Sequence, residues 1–436
     1  MEAGPRIGWY GDDFTGATDT LLNAAGAGLR ALLFTRIPTP EQLRRAGELE
    51  AIGIAGAARS MAPEAMADEL EPVGRFFARL GVPVLHYKVC STFDSAPQVG
   101  NIAIAIATLR SHVVNRFVPI VGGQPGIGRY CAFSNLYASA GAGGAVHRID
   151  RHPTMSRHPV TPMHEADLRT HFATLGLPDV AGLHAPAYEQ EAAALDTQLD
   201  ALTPASRGIA PVLMDLTDPA QLAAVGRLIW SRAAAARLLA VGPSSVVQAL
   251  TAHWTQTGEL RAPETHSTSA APPRTPVFVL AGSLSPVTAR QIGAATSYAK
   301  LPLEATRLAG DPAYANARLA EALAHLRTGH PVLAGTSLEA GTGQAADTHA
   351  VALACAAFLK RLLAQMPLAR VGIAGGDTSS HAVQALDLWG LSHVRVLGPG
   401  VALTRAHSDD LALDGMELML KGGQMGQEDL FELLLK

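Results

Sequence analysis

The chain is poor in cysteine, and its few cysteines are scattered. Its 436 residues include three, Cys90, Cys131 and Cys355. They form no CxxC pair and no Cys/His cluster with the spacing of a zinc site. The 16 histidines contain no HExxH pattern. These absences argue against a disulfide framework and a zinc fold. We expect the thiols to be reduced, and the sequence identifies no metal ligands.

Long apolar runs and long basic runs are also missing. Apolar stretches such as Val351–Leu359 are too short to cross a bilayer core of about 30 Å. Residues 1–5 lack the basic and apolar regions of a signal peptide. The net charge is −4, with no Lys/Arg run to neutralise nucleic-acid phosphates. We therefore expect a cytoplasmic protein with no nucleic-acid or membrane partner.

What the sequence does contain is a repeated alternation of short apolar runs with amphipathic stretches. This alternation predicts an α/β protein with two domains, each a mostly parallel sheet flanked by helices. Residues 262–276 read APETHSTSAAPPRTP and have the composition of a linker. We accordingly place one domain at 1–261 and a second at 277–436. Among the expected helices is one at 97–110, and the Gly-rich stretch 122–150 is expected to leave the pattern as irregular strands.

The first candidate motif is GDDFTGA at residues 11–17, directly after a predicted strand and at the start of a helix. The adjacent carboxylates Asp12 and Asp13 can orient a hydroxyl, accept a proton or hold a cation. Thr15 and Gly16 offer backbone amides to a polar ligand. Helix capping by Asp13 or Thr15 is the simpler alternative.

Two further strand ends carry basic side chains. Lys88 begins the segment KVCSTFDS, where its charge can meet a substrate carboxylate, and Arg59 can hold a carboxylate with two hydrogen bonds. Cys90, Ser91 and Thr92 follow in the loop. A solvated lysine and a lone surface arginine are the alternatives.

Glycine-rich turns dominate the second half. They are GSLSP from Gly282, GGDTS from Gly375, GPG from Gly398 and KGG from Lys421. Exposed amides in such turns can bind phosphate, although a single Gly-Gly turn is usually only a turn. Neither GxxxxGK[ST] nor GxGxxG occurs, so we predict neither a P-loop nor a dinucleotide-binding fingerprint.

In this order the motifs resemble the four-carbon acid sugar kinase family, once known as a domain of unknown function. The resemblance rests on GDDFTGATD, KVCST, HPVTPMHEADL, GSLSPVTARQ, GGDTS and KGGQMGQEDLF, and spans nearly the whole chain. It implies an N-terminal domain for an acid sugar and a C-terminal domain for a nucleotide. Many family members have KxDSTLRG where this chain has KVCSTFDS, so its substrate is expected to be a related acid such as 3-oxo-isoapionate.

The resemblance implies transfer of a phosphoryl group from ATP to a hydroxyl of a small acid sugar, with Mg²⁺ as cofactor and a homodimer allowed for. Threonate, erythronate and 3-oxo-tetronate are further candidate substrates. The implied acid-sugar site contains Asp12, Asp13, Arg59, Lys88, Cys90, Ser91 and Thr92. The implied ATP site contains Ser283, Gly375, Gly376, Asp377, Thr378, Ser379, Gly422 and Gly423. An NAD-dependent oxidoreductase and a non-catalytic sugar-acid-binding protein remain as alternative functions.

Overall fold

The computed structural model describes residues 4–141, 143–158, 160–206, 208–261, 275–283, 285–337, 348–398 and 400–436. The chain divides into two compact units. The first contains Met1–Leu32 and Arg36–Pro263, and the second contains Leu33–Thr35 and Glu264–Lys436. Most of the predicted linker, at 262–276, lies outside the described residues.

Strands and helices alternate along the first unit. Its strands are β1 (Ile7–Gly11), β2 (Ala31–Phe34, which spans the division between the units), β3 (Ala51–Ala55), β4 (Val84–Lys88), β5 (Phe117–Val121), β6 (Arg129–Ala132), β7 (Asn135–Ser139), β8 (Val146–Arg148), β9 (Ala181–Leu183), β10 (Ala210–Met214) and β11 (Leu238–Gly242). Its helices are α1 (Phe14–Gly26), α2 (Pro40–Ala46), α3 (Pro63–Leu80), α4 (Ile102–Arg110), α5 (Leu168–Thr174), α6 (Ala192–Leu202), α7 (Leu222–Ala235) and α8 (Ser245–Gln256).

A parallel sheet forms the centre of the first unit. Its strands lie in the order β3-β1-β4-β11-β5-β10-β9, and each neighbouring pair is parallel. Strands β1, β3, β4, β5, β10 and β11 are buried along their whole length. This explains why, apart from His86 and Lys88 of β4, these strands contain no charged or strongly polar residue, because helices cover both faces of such a sheet. The predicted fold class is confirmed.

Strands β6, β7 and β8 form a separate antiparallel sheet within the Gly-rich stretch. The β6–β7 turn places Phe133 and Ser134 at φ 48° and 67°, the backbone of a two-residue hairpin turn. Their amides donate to the carboxylate of Asp215 at 2.6 and 3.0 Å. Asp215 directly follows β10 and is fully buried. The carboxylate thus satisfies two amides that the turn would otherwise leave unpaired.

The second unit contains β12 (Phe278–Ala281), β13 (Ala299–Glu304), β14 (Val332–Ser337), β15 (Arg370–Ala374), β16 (Gly390–Gly398), β17 (Val401–His407) and β18 (Glu417–Lys421). Its helices are α9 (Pro286–Ala294), α10 (Ala305–Gly310), α11 (Pro312–Arg327), α12 (Thr348–Gln365), α13 (Gly376–Ala385) and α14 (Leu430–Leu433). The strand order is β13-β14-β12-β15-β18-β17-β16, parallel except for the antiparallel pairs β16–β17 and β17–β18.

One predicted helix has the wrong start. We placed it at 97–110, but α4 begins at Ile102. The Asn101 side chain accepts hydrogen bonds from the amides of Ala103 and Ile104 at 2.9 and 3.3 Å, and this cap fixes the first turn. Gly100 has φ 59°, so the helix cannot extend back through it.

Candidate functional site

The strand ends of the first unit lie level with one another. Gly11, at the end of β1, is in register with Ala55 of β3 and with Lys88 of β4. Lys88 is in turn in register with Gly242 of β11. The loops that follow these strands therefore emerge at one edge of the sheet, where parallel α/β sheets bind their ligands.

Arg59 joins the two adjacent aspartates. Its Nε and one terminal nitrogen donate to the two Asp12 oxygens at 3.1 and 2.8 Å. Its other terminal nitrogen lies 2.7 Å from Asp13 Oδ2. The alternative of a lone surface arginine is thus wrong, and the guanidinium is engaged on all sides by carboxylates.

The environments of the two aspartates differ. The Asp12 side chain is 6% exposed, whereas that of Asp13 is 28% exposed. Burial raises the pKa of Asp12; the Arg59 charge lowers it, and the neighbouring Asp13 charge raises it again. Burial also acts to lower the pKa of Arg59, but the charges of Asp12 and Asp13 raise it well above its usual range. Arg59 is therefore a permanent cation here.

Asp13 is also the N-cap of α1. Its Oδ1 accepts the amide of Gly16 at 2.6 Å, and Thr15 Oγ1 lies 3.2 Å from its Oδ2. The capping interpretation is thus correct for Asp13. It leaves the buried Asp12, paired with Arg59, without a role in the helix cap.

Lys88 is buried beside this cap. Only 3% of the residue is exposed, so the alternative of a solvated lysine is wrong. Its Nζ donates to the carbonyl of Val89 at 2.8 Å. A Cβ added at Gly16 would lie 2.7 Å from that Nζ and 2.5 Å from Asp13 Oδ1. Glycine at 16 thus lets the ammonium approach the first turn of α1.

The loop after Lys88 brings a third carboxylate to the site. Thr92 Oγ1 donates to Asp94 Oδ1 and lies 2.9 Å from Cys90 Sγ. Burial alone would raise the pKa of Asp94, but the Arg59 charge and hydrogen bonds from Thr92 and Cys90 bring it below its usual range. Burial and the Asp94 charge raise the pKa of Cys90, which keeps that thiol neutral. Ser91 is buried in the same loop.

No role was predicted for Asp94 from the sequence. Polar residues on α1 and in the loops that contact it were missed as well. Asp19 Oδ2 accepts hydrogen bonds from Ser244 Oγ and, at 3.3 Å, from Gln124 Nε2, and Thr20 Oγ1 lies 3.0 Å from Ser244 Oγ. The sequence did contain one signal for this group. Asp19 is the last residue of GDDFTGATD and lies two helical turns beyond Asp12.

In the second unit, three strand ends also align. Ala281 of β12 is in register with Ala374 of β15, and Ala374 with Lys421 of β18. The predicted nucleotide turns follow these residues. The amides of Gly282 and Ser283 both donate to the Ala374 carbonyl, at 2.9 and 3.1 Å.

Close contacts bring these glycine turns together. The amide of Gly375 donates to the Lys421 carbonyl at 2.9 Å. A Cβ added at Gly423 would lie 2.4 Å from Ser283 Oγ, and one at Gly282 would lie 2.2 Å from Thr378 Oγ1. The sequence-predicted turns at 282, 375 and 422 therefore share one edge of the second sheet.

Helix α13 begins at this edge. Its first residues are Gly376, Asp377, Thr378 and Ser379. The Oγ of Ser379 is buried and has no hydrogen-bond partner among the described residues. A Cβ added at Gly376 would meet nothing within 4 Å. The helix start therefore combines open space with polar groups, as an anion site requires.

Within the described ranges, no group of three or more His, Cys, Asp or Glu side chains has the geometry of a metal site. In the same part of the chain, no helix has both the length and the apolar character needed to cross a membrane.

Comparison with known proteins identifies the family. A model described as the sugar-binding N-terminal domain matches residues 7–250, and one described as the nucleotide-binding C-terminal domain matches residues 278–431. A Paraburkholderia graminis protein named 3-oxo-isoapionate kinase is 37% identical over 452 residues, which cover 99% of this chain and 94% of that protein. The chain belongs to the four-carbon acid sugar kinase family. Membership makes it a phosphotransferase, as predicted.

A second relative of this acid sugar kinase also has a kinase name, and two solved structures share its fold. A Methylobacterium radiotolerans protein named 3-oxo-tetronate kinase is 30% identical and covers 98% of this chain and 97% of its own length. Solved structures from Salmonella typhimurium LT2 and Haemophilus influenzae superpose with TM-scores of 0.78 and 0.72, and each covers 98% of both chains. Both are 23% identical, so they show the fold alone.

Proposed function

We propose that this protein is an ATP-dependent kinase that phosphorylates a hydroxyl of a small acid sugar, with 3-oxo-isoapionate as the first candidate. The observation that carries the proposal is the cluster of Asp12, Asp13, Arg59 and Lys88 at one sheet edge within the sugar-binding match. The candidate substrate comes from the Paraburkholderia graminis relative, whose name is 3-oxo-isoapionate kinase.

Lys88 is the group we assign to the substrate carboxylate. Its Nζ donates to a single acceptor in the described chain, the carbonyl of Val89, although an ammonium has three N–H donors. Arg59 is committed to Asp12 and Asp13, so its part in substrate binding is to hold both carboxylates in place and to add positive charge. The loop after Lys88 contains Cys90, Ser91 and Thr92. Their proposed role is to contact the sugar.

Asp13 is the better candidate to orient the acceptor hydroxyl and take its proton. Both oxygens of Asp12 are held by Arg59 in a side chain that is 6% exposed. Asp13 is more accessible and sits at the positive end of α1. A base must come within hydrogen-bond reach of the proton that it removes, so accessibility favours Asp13 even though burial raises the pKa of Asp12.

The residues of the second unit fit a nucleotide. Three features are what a phosphate chain needs, because amides and hydroxyls can replace its hydration. They are the open space at Gly376, the hydroxyl of Ser379, which has no partner among the described residues, and the converging turns at Ser283 and Gly422–Gly423. Asp377 and Thr378 complete the first turn of α13. ATP would supply the phosphoryl group and Mg²⁺ the neutralising charge that such transfer requires; no protein ligand for the ion is assigned.

Replacing Gly376 with valine tests the nucleotide site. Since nothing lies within 4 Å of the added Cβ, we expect the fold to survive and the side chain to occupy the space proposed for phosphate. The KM for ATP should rise about tenfold or more, with a much smaller change in the KM for the acid sugar. Steady-state kinetics with each substrate varied in turn measures this.

The matched control is Gly293→Val. Gly293 lies in α9 of the same unit and also has open space around its Cβ position. This variant introduces the same side chain into a helix of the same unit and should leave both KM values unchanged. Equal KM values for ATP in Gly376→Val and the wild type would contradict the assignment.

Ligand-induced thermal shifts separate this proposal from an oxidoreductase and from a sugar-acid-binding protein. ATP at 100 times its Kd should stabilise the fold by about 2.7 kcal/mol, a rise of roughly 5 °C or more in Tm, whereas NAD should give none. A screen of 3-oxo-isoapionate, 3-oxo-tetronate, threonate and erythronate for ADP release then identifies the substrate. A shift with NAD, or binding of an acid without ADP release, would refute the kinase assignment.

A further inference from the structure

Lys421 is a buried cation that the proposed reaction does not yet use. It ends β18, and 1% of the residue is exposed. Its Nζ donates to Thr288 Oγ1 at 3.0 Å and to the carbonyls of Gly422 and Gly423 at 3.1 and 3.3 Å. Among the ion pairs of the described residues, none includes Lys421. Burying an ammonium without a carboxylate partner costs free energy unless hydrogen bonds or a bound anion compensate for the lost hydration.

The residues around Lys421 hold one β-turn. The amide of Met425 donates to the Gly422 carbonyl at 3.2 Å, which closes a turn over Gly422–Met425. Ser285 Oγ and Thr288 Oγ1 donate to the Gly423 carbonyl, the latter at 3.0 Å. Together with the lysine, three donors converge on one carbonyl oxygen, so its direction is fixed.

The direction of these carbonyls sets the direction of the amides. In a trans peptide the C=O and N–H bonds point opposite ways. Because the carbonyls of Gly422 and Gly423 face the ammonium, the N–H groups of Gly423 and Gln424 face away from it. Neither amide has an acceptor in the described part of the chain, and Gly423 lies against Ser283, a predicted nucleotide residue.

We propose that Lys421 is a positioning residue, which fixes the Gly422–Met425 turn so that the amides of Gly423 and Gln424 donate to a phosphate oxygen of the nucleotide. This inference rests on the proposed kinase function. The ammonium also places positive charge behind those two donors, which strengthens an amide site for an anion. A neutral side chain of the same length would remove one donor from each carbonyl and the positive charge behind the two amides.

The charge of Lys421 is sensitive to pH near neutrality. Burial lowers its pKa from 10.5 to about 8. The titratable side chains on neighbouring elements are Arg290 of α9, Asp377 and His381 of α13, Arg370 of β15 and Arg405 of β17. Because the folded pKa lies below the ordinary value, Lys421 is charged below about pH 8 and neutral above it. Nucleotide binding should therefore weaken as the pH rises through 8.

The test is Lys421→Met, which keeps length and removes charge. We expect the KM for ATP to rise about tenfold or more at pH 7, with kcat and the KM for the acid sugar changed less than about threefold. In the wild type, the KM for ATP should increase between pH 7 and 9.5 with a break near 8. In Lys421→Met this break should be absent.

The control is Lys300→Met, which removes an exposed lysine of β13 in the same unit and should leave the KM for ATP and its pH profile unchanged. Should Lys421→Met fail to fold, Thr288→Val removes only the hydroxyl that bridges Lys421 and Gly423, and it should raise the same KM. An unchanged KM for ATP and an unchanged pH profile in the folded variant overturn the inference. Lack of ATP turnover in the wild type would instead count against the proposed function.

Discussion

Replacing Asp13 with asparagine should lower kcat by about 10²- to 10⁴-fold, the usual contribution of a positioned acid or base. Asparagine is as good an N-cap as aspartate, so the hydrogen bond to the Gly16 amide should survive and the fold with it. What disappears is the carboxylate that we propose takes the proton. Steady-state kinetics with the substrate found by the screen, together with a thermal melt, checks both parts.

Two companion variants make the result interpretable. Asp68→Asn changes an exposed aspartate on α3 of the same unit and should leave kcat unchanged. Asp12→Asn should lower both stability and kcat, since Asp12 holds Arg59 through two hydrogen bonds and is more deeply buried than Asp13. If Asp12→Asn loses far more turnover than Asp13→Asn at equal stability, the base is Asp12 and our choice is wrong.

Replacing Arg370 with methionine should destabilise the second unit by about 3–5 kcal/mol, the cost of leaving one partner of a buried ion pair uncompensated. Arg370 and Glu417 begin β15 and β18 and pair at 2.8 and 2.9 Å, with side chains 3% and 4% exposed. Arg370 also donates to the carbonyls of Leu434 and Lys436. Denaturant unfolding followed by a probe in this unit measures the loss.

An exposed arginine of the same unit provides the comparison. Arg307 of α10 lies 3.5 Å from Glu304 and 3.4 Å from Asp311, with its side chain 47% exposed. Arg307→Met should cost less than about 1 kcal/mol, because water screens exposed pairs. Similar losses for the two variants would mean that the buried pair contributes no more than a surface one.

The strands that carry the site were predictable because burial on both faces leaves an unambiguous signal. Strands β1 and β5 consist of mostly apolar runs that end at a glycine, IGWY before Gly11 and FVPIV before Gly122. Strand β13 was not predicted. Its sequence AKLPLE exposes alternate residues and contains proline, a pattern that an edge strand tolerates and a central strand does not.

The residue types of the candidate site were predictable, but their partners were not. Asp12, Asp13 and Lys88 stand at strand ends, so topology alone brings them to one edge. Arg59 was expected to face a substrate carboxylate, and instead it lies between two protein carboxylates. Sequence order contains no information on which nearby charge a flexible side chain will choose, and the answer depends on a register between β1 and β3 that only the fold provides.

Buried polar residues were the hardest to predict. Lys421 follows the apolar run LML at 418–420 and resembles an ordinary strand-ending lysine. Its burial depends on α9, whose Thr288 lies 133 positions earlier in the chain. Likewise, Asp19 meets Ser244 across 225 positions. Such long-range contacts are invisible to local patterns, since the pairing depends on how helices pack over the sheet.

The link between Asp215 and the β6–β7 turn has a consequence for the small antiparallel sheet. A hairpin joined only through its own ends can swing as a flap. Here the tip, at Phe133 and Ser134, is tied to the loop after β10 by two hydrogen bonds from its amides. The hairpin is thus held at its turn as well as at its chain ends. We expect it to move only together with the end of β10.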